Sequence, residues 1–278
     1  MRDIAKGEGK SLWMSEVGGF WSSTGQDFVS MESGLGSAQQ IADDLRELEP
    51  SAWVFWQPVE DYTNMAPGGE SAAGMNWGEI QIPFDCTAED TLETCPIYTN
   101  TKYQTTQNFT HFIAPGDHLI GVDDVGSTAA VAASGDAATV VHVNSTTSAR
   151  AVTLDLSGFA SIEEGATVTP FVTSTSGALV EGTPVAVESG AATLTVPAES
   201  VTTFVVDGVA GSRRTAPWPR TAMSTASRAS SPASPSPLQR PARASLSARP
   251  TVRAPPRCGS SRRSVLPRER ARTRPATP

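Results

Sequence analysis

Apolar and polar positions follow three different rhythms along the chain, and each predicts a different kind of element. Residues 11–17, Ser11-Leu12-Trp13-Met14-Ser15-Glu16-Val17, form an apolar run that ends in one carboxylate and breaks into Gly18-Gly19. The run predicts a short buried strand with an acid at its exit. A loop rich in Gly and Ser follows as far as Gly36. Ser37 then stands as an N-cap before Ala38, Ile41, Ala42, Leu45 and Leu48, which recur at helical spacing until Pro50. Asp43, Asp44, Arg46 and Glu47 are placed on the wet face of this helix. Residues 51–60, Ser51-Ala52-Trp53-Val54-Phe55-Trp56-Gln57-Pro58-Val59-Glu60, are apolar on both faces, as a parallel strand covered on both sides should be. Strand, helix, strand predicts a βα-unit followed by the next strand of an α/β barrel. After a long irregular stretch, residues 102–114 predict another helix, stopped by Pro115-Gly116.

From His118 the rhythm shortens to alternating runs. Candidate strands are residues 119–125, 129–133, 139–144, 151–156, 167–173, 184–187, 191–196 and 201–206, punctuated by Gly, Ser, Asp and Pro. Strands spaced this closely argue for an antiparallel β-sandwich. The expected fold class is α/β plus all-β: a C-terminal portion of a barrel over residues 1–116, a β-sandwich over 117–210, and a tail over 211–278.

Charge sets the tail apart. Residues 1–211 carry 6 Lys and Arg against 28 Asp and Glu, a net of −22, whereas residues 212–278 carry 15 Arg, no Lys and Glu269 alone, a net of +14. The tail is otherwise Pro, Ser, Ala and Thr, with almost nothing to bury, and is expected to be disordered. Arg clusters can bind phosphates, but the tail lacks aromatic interleaving beyond Trp218, so no specific nucleic-acid partner is assigned. Arg without Lys, amid Pro and Ala, is also what a GC-rich gene yields out of frame, and a frameshift near Gly211 is one expectation. No stretch reaches the roughly 18 apolar residues of a membrane helix, so no membrane partner is assigned. No apolar segment follows Met1-Arg2-Asp3-Ile4 as in a signal peptide, and the chain is expected to begin inside a domain. Cys86 and Cys95 are read as a small disulfide ring of an oxidising compartment, with two free thiols as the alternative.

An acid at a strand exit is where a barrel displays its catalytic groups, although such a Glu is more commonly a solvated loop acid. The surrounding motifs decide between these for Glu16. Leu12-Trp13-Met14-Ser15-Glu16-Val17-Gly18 comes first, followed by Ala52 to Glu60 and by Asn76-Trp77-Gly78. Lys102-Tyr103 and Phe109-Thr110-His111-Phe112-Ile113-Ala114-Pro115-Gly116 close the set. In this order and spacing they resemble glycoside hydrolase family 30, nearest its endo-β-1,6-galactanase-like branch, and Ser200 to Val206 is similar to the closing strand of that family's side sandwich. The resemblance covers about residues 8–208.

It implies a (β/α)8 barrel with an attached β-sandwich, and hydrolysis that retains anomeric configuration. Glu16 would be the nucleophile at the end of the seventh barrel strand, with residues 53–57 on the eighth. The family's acid/base Glu, at the end of the fourth strand, has no counterpart here, so the chain alone is expected to be inactive. The implied partner is a polysaccharide, β-galactan or a related glycan such as xylan or glucosylceramide. The implied protein is a secreted monomer without a cofactor.

Positions 53 and 56 point to opposite faces of a strand. Trp56, nearer the exit, is therefore the candidate for stacking on a sugar ring, with a place in the core as the alternative. Gln57 and Glu60 are candidates for hydrogen-bonding sugar hydroxyls or lie in the loop, the loop being favoured for Glu60, and Trp77 is a candidate platform or lid anchor, with packing as the equal alternative. Asp85, Glu89, Asp90 and Glu93 read as a solvated acidic loop, and His111, His118 and His142 as structural, so no metal site is assigned. Phosphate-loop, GxSxG and HExxH motifs are missing. The competing class is a non-catalytic carbohydrate-binding or structural module in which only the sandwich folds.

Overall fold

A computed structural model describes residues 1–19, 21–22, 28–65, 77–211 and 223–226 of the chain. Helix α1 (Arg2–Gly7) leads into strand β1 (Trp13–Val17), and helix α2 (Met31–Leu48) returns the chain to β2 (Ala52–Phe55). The strands are parallel, with Trp13 beside Ala52 and Met14 beside Trp53, which is the crossover that parallel pairing requires. Contrary to the expectation of buried strands, both are half-exposed, with Trp13 66% and Val54 44% accessible. Each pairs only with the other among the described residues, so neither is flanked on both sides.

Helix α2 begins earlier than Ser37. Its N-cap is Ser30, whose Oγ accepts from the Glu32 N–H at 3.1 Å, and Ser37 is buried within the helix. The glycines that read as loop are sites of close approach instead: a Cβ on Gly34 would lie 2.7 Å from the Thr101 carbonyl oxygen. Asp44 also departs from expectation. It is buried rather than wet, accepting from Trp53 Nε1 at 2.9 Å and Gln40 Nε2 at 3.1 Å.

The strand expected over residues 51–60 is divided into β2 and β3 (Val59–Asp61), and the stretch read as irregular after it contains α3 (Tyr62–Met65), β4 (Ile80–Ile82) and β5 (Tyr98–Thr99), with β3 parallel and β5 antiparallel to β4. Strands of two or three residues are too short to show a period, which is why the pattern missed them. Cys86 and Cys95 are joined by a disulfide between β4 and β5, Cα–Cα 5.9 Å. Helix α4 (Thr101–Thr110) follows, capped by Asn100, whose side chain accepts from the Tyr103 N–H at 3.2 Å.

The remaining strands are β6 (His118–Ile120), β7 (Ser127–Val131), β8 (Ala137–Asn144), β9 (Arg150–Asp155), β10 (Ser161–Ser174), β11 (Gly177–Glu181), β12 (Val185–Ala186), β13 (Ala191–Val196), β14 (Ser200–Ala210) and β15 (Met223–Ala226). The larger sheet runs β11-β10-β14-β8-β7-β6, with β12 also on β10, and the smaller runs β13-β9-β15. Val140, Val168, Phe204 and Val206 from the first meet Val152, Leu154, Leu194 and Val196 from the second in one core.

The opposite face of the larger sheet is covered as well. Val141, Val143 and Val201 pack with Met31, Leu35, Ala38 and Ile41 of α2 and Phe109 of α4. Residues 138–144 are therefore continuously buried. A hydrogen-bonded pair pins α4 to β14: Asn108 Nδ2 donates to Thr203 Oγ1 at 3.0 Å, which donates to the Asn108 carbonyl at 2.8 Å.

Strand β11 was missing from the sequence pattern. Strand β15 corrects the expectation of a wholly disordered tail, since Met223–Ala226 pairs with the edge of β9. These four residues carry neither Arg nor Pro, and an open strand edge offers unpaired backbone groups to such a segment. The Arg-rich remainder, with Trp218 and Cys258, lies outside the described residues, as does Asn76.

Phe204 is completely buried between the two sheets. Phe204→Ala is expected to lower the unfolding free energy by about 3–5 kcal/mol in urea denaturation. Leu92→Ala, at a side chain 73% accessible, should change it by less than about 0.5 kcal/mol.

Candidate active site

Glu16 occupies the last turn of the pleat in β1 and is exposed. Immediately after β2, the Trp56 N–H donates to the Val17 carbonyl at 2.7 Å, which draws the ends of the two strands together. Gly18 completes the contact, because a Cβ there would lie 2.2 Å from the Trp56 carbonyl oxygen and 3.6 Å from its ring. Glu16 and Trp56 thus stand at the same end of the parallel pair. Trp56 is 49% accessible, Gln57 is half-buried, and the peptide bond between them is cis. Trp53 is committed elsewhere, with its indole N–H on Asp44 and its ring against the α2 core.

Trp77 is half-buried and is tied in through its backbone. Its N–H donates to Glu60 Oε1 at 3.3 Å, and its carbonyl accepts from Lys102 Nζ at 2.8 Å. The same ammonium donates to the Gly19 carbonyl at 3.0 Å. It also lies 5.8 Å from the ring centroid of Trp21 and 5.7 Å from that of Phe55, within cation–π range. Phe55 in turn packs at a tilt on Trp21 and Trp53, with centroids 6.0 and 6.1 Å apart.

Glu60 overturns its placement in a loop. It lies in β3, fully buried, accepting from the N–H groups of Trp77 and Gly78 and from Gln81 Nε2 at 3.3 Å. Burial pushes its carboxyl above the usual range, against the pull of these hydrogen bonds and of Lys102. Glu79, also buried, accepts from Thr106 Oγ1, and burial raises it likewise. Burial lowers the Lys102 ammonium to about 8, with Glu60 and Glu79 opposing the shift. This buried charge group escaped the sequence reading. Its signal was Lys102 itself, one of only six basic side chains in residues 1–211, within a motif already singled out.

Chemically, the strand exit offers one exposed carboxylate and one partly exposed indole, the latter suited to stacking on the apolar face of a sugar. Glu60 and Glu79 are buried and engaged in hydrogen bonds. The three histidines are spread apart: His111 and His118 are exposed, whereas His142 is buried with its Nδ1 2.9 Å from Ser127 Oγ and 3.3 Å from Asp124 Oδ2. Asp90 caps its own loop by accepting from Thr87 and Thr94. Among the described residues no group of three or more His, Cys, Asp or Glu side chains is placed to hold a metal ion, and no helix is long and apolar enough to cross a membrane.

No family model matches the chain. Over 256 residues it is 31% identical to an exo-β-1,6-galactobiohydrolase of Bifidobacterium longum subsp. longum, covering 76% of this chain and 17% of that protein. Over 209 residues it is 28% identical to an endo-β-1,6-galactanase of Hypocrea rufa, covering 74% of this chain and 37% of that protein. The chain therefore spans well under half the length of either relative.

Among solved structures, it superposes on a glycoside hydrolase family 30 subfamily 8 xylanase from Clostridium acetobutylicum with a TM-score of 0.52 and 18% identity, over 74% of this chain and 44% of that one. A conserved exported protein from Bacteroides fragilis gives a TM-score of 0.50 and 20% identity, over 73% and 40%. These likenesses speak to fold: part of a glycosidase barrel with a sheet domain attached.

Glu60→Ala would leave the Trp77 and Gly78 N–H groups without their acceptor and remove one of the two carboxylates that act on Lys102. Leaving buried donors unsatisfied costs about 1–3 kcal/mol each, a loss readable in thermal or urea unfolding. Glu60→Gln keeps an acceptor and should cost less.

Proposed function

We propose that this chain, a glycoside hydrolase of the family 30, galactanase-like kind, carries the nucleophile side of a site that cleaves β-linked galactan with retention. The relatives from Bifidobacterium longum and Hypocrea rufa are both named for the β-1,6-galactose linkage, which supports that substrate over other glycans. The observation that carries the reading is the pairing of an exposed Glu16 with a partly exposed Trp56 at one strand exit, held by the Trp56 N–H to Val17 carbonyl bond.

In this reading Glu16 attacks the anomeric carbon while a second carboxyl group, about 5–5.5 Å away, protonates the departing oxygen and later activates water. Trp56 stacks on the sugar, and Gln57 and Trp77 line the same end. The chemistry requires no cofactor. The second carboxyl is not one of those assigned here, so this chain by itself is inactive; losing general acid–base assistance alone costs about 10²–10⁴ in rate. An extracellular setting is supported by the Cys86–Cys95 disulfide and by the exported neighbour. A monomer is the simplest state for such a site.

The test is a chimera in which residues 1–211 replace the matching segment of the Hypocrea rufa enzyme. It should hydrolyse β-1,6-galactan in preference to xylan. Glu16→Gln should lower turnover by about 10⁴-fold or more, and azide should rescue Glu16→Ala by taking the nucleophile's place. A chimera that binds galactan but shows no turnover dependent on Glu16 would favour a non-catalytic binding module. Hydrolysis by the present chain alone would overturn the need for an outside carboxyl.

A further inference from the structure

Lys102 has no part in the sugar chemistry just described, yet it is buried where β2, the loop after β1 and the loop before β4 meet. It sits in the first turn of α4, fully shielded from solvent. Its ammonium reaches the Gly19 carbonyl, three residues beyond Glu16, and the Trp77 carbonyl in the loop before β4. The rings of Trp21 and of Phe55, the neighbour of Trp56, flank it. The charged groups that act on it are Glu60 of β3 and Glu79 at the entry to β4.

We propose that Lys102 is a positioning residue whose ammonium ties the loop leaving Glu16 to the loop carrying Trp77, and so sets the aromatic wall around the sugar-facing end. Charge matters to the tie. An ammonium offers three donors and an attractive field to carbonyl oxygens and ring faces, whereas a neutral amine offers weaker donors and no cation–π attraction. Burial brings loss of the proton down to about 8. The tie is therefore strong near neutrality and slackens as pH rises through that value. The consequence for sugar binding rests on the reading of Glu16 and Trp56 given above; the tie itself does not.

The experiment follows the full chain labelled with 5-fluorotryptophan by ¹⁹F NMR from about pH 6 to about pH 9.5, a window that brackets this titration. The Trp21 and Trp77 resonances are assigned with Trp21→Phe and Trp77→Phe. Both are expected to move with a common midpoint near 8, while Trp13 and Trp53 do not follow. Lys102→Met should abolish the movement and hold both signals at their high-pH positions. Lys102→Arg, charged throughout, should hold them near their low-pH positions. Glu60→Gln should lower the midpoint, because one of the two anions that retain the proton is gone.

A wild-type Trp21 signal that does not titrate, or that titrates equally in Lys102→Met, overturns the proposal. If Lys102→Met does not fold, the wild-type titration and the direction of the Glu60→Gln shift decide. Binding of β-1,6-galactobiose, measured by calorimetry at about pH 7 and about pH 9.5 in the same window, should weaken on deprotonation. Absence of binding at both values would sink the reading of the Glu16 and Trp56 end while the titration still judges the tie. Binding without titration would sink the tie alone.

Discussion

A cation can remain buried only where oxygen atoms or ring faces replace the water it has lost, and this requirement at Lys102 draws four separate segments of the chain together. The loop after β1 supplies the Gly19 carbonyl, the loop before β4 the Trp77 carbonyl, β2 the ring of Phe55, and β3 the carboxylate of Glu60. Glu60 is itself buried and needs donors, which the backbone of Trp77 and Gly78 provides. Each polar group thus satisfies another, and the geometry of the strand exit follows from that closure. A loop that drifted away would leave a buried charge exposed to an apolar surrounding, so the cost of misplacement is electrostatic.

This group stands on a foundation of ordinary packing. Helix α4, which presents Lys102, is locked to α2 through Gly34 and Thr105, whose hydroxyl donates to the Gly34 carbonyl at 2.9 Å. Its far end is fixed to β14 by the reciprocal Asn108 and Thr203 bonds. Both helices rest on a sheet whose other face is the sandwich core. The larger sheet is therefore the shared wall of two cores, and the helices hold a fixed height above it. The β-sandwich acts here as the base on which the strand exit carrying Glu16 rests.

The parts legible in the sequence were those with a long or repeated signal. Ala38, Ile41 and Ala42 marked the core face of α2, and the alternating runs after His118 marked most of the sandwich strands. The motifs around Glu16, Trp56 and Trp77 pointed to the glycosidase family that the comparisons bear out. The misses share a cause. Ser37 resembles an N-cap because Gly34 and Gly36 precede it, but glycine in a helix also permits close approach, and only the position of Thr101 tells the two apart. Asp44 and Glu60 look wet by residue type. They are buried because Trp53 in one case, and the Trp77 and Gly78 backbone in the other, supply donors from distant parts of the chain.

By itself the sequence determined the classes of element, the division between an acidic folded portion and an Arg-rich tail, and the identity of the acid at the strand exit. Such properties are carried by neighbours within a few residues and by motif order. Tertiary structure decided which polar groups are inside. Lys102, Glu60 and Glu79 are separated by up to 42 positions in sequence, and whether a charge is solvated or enclosed depends on what the fold packs around it. The same holds for the exposure of β1 and β2, since a strand's apolar pattern states what it is able to bury, and only its neighbours in space settle what is covered.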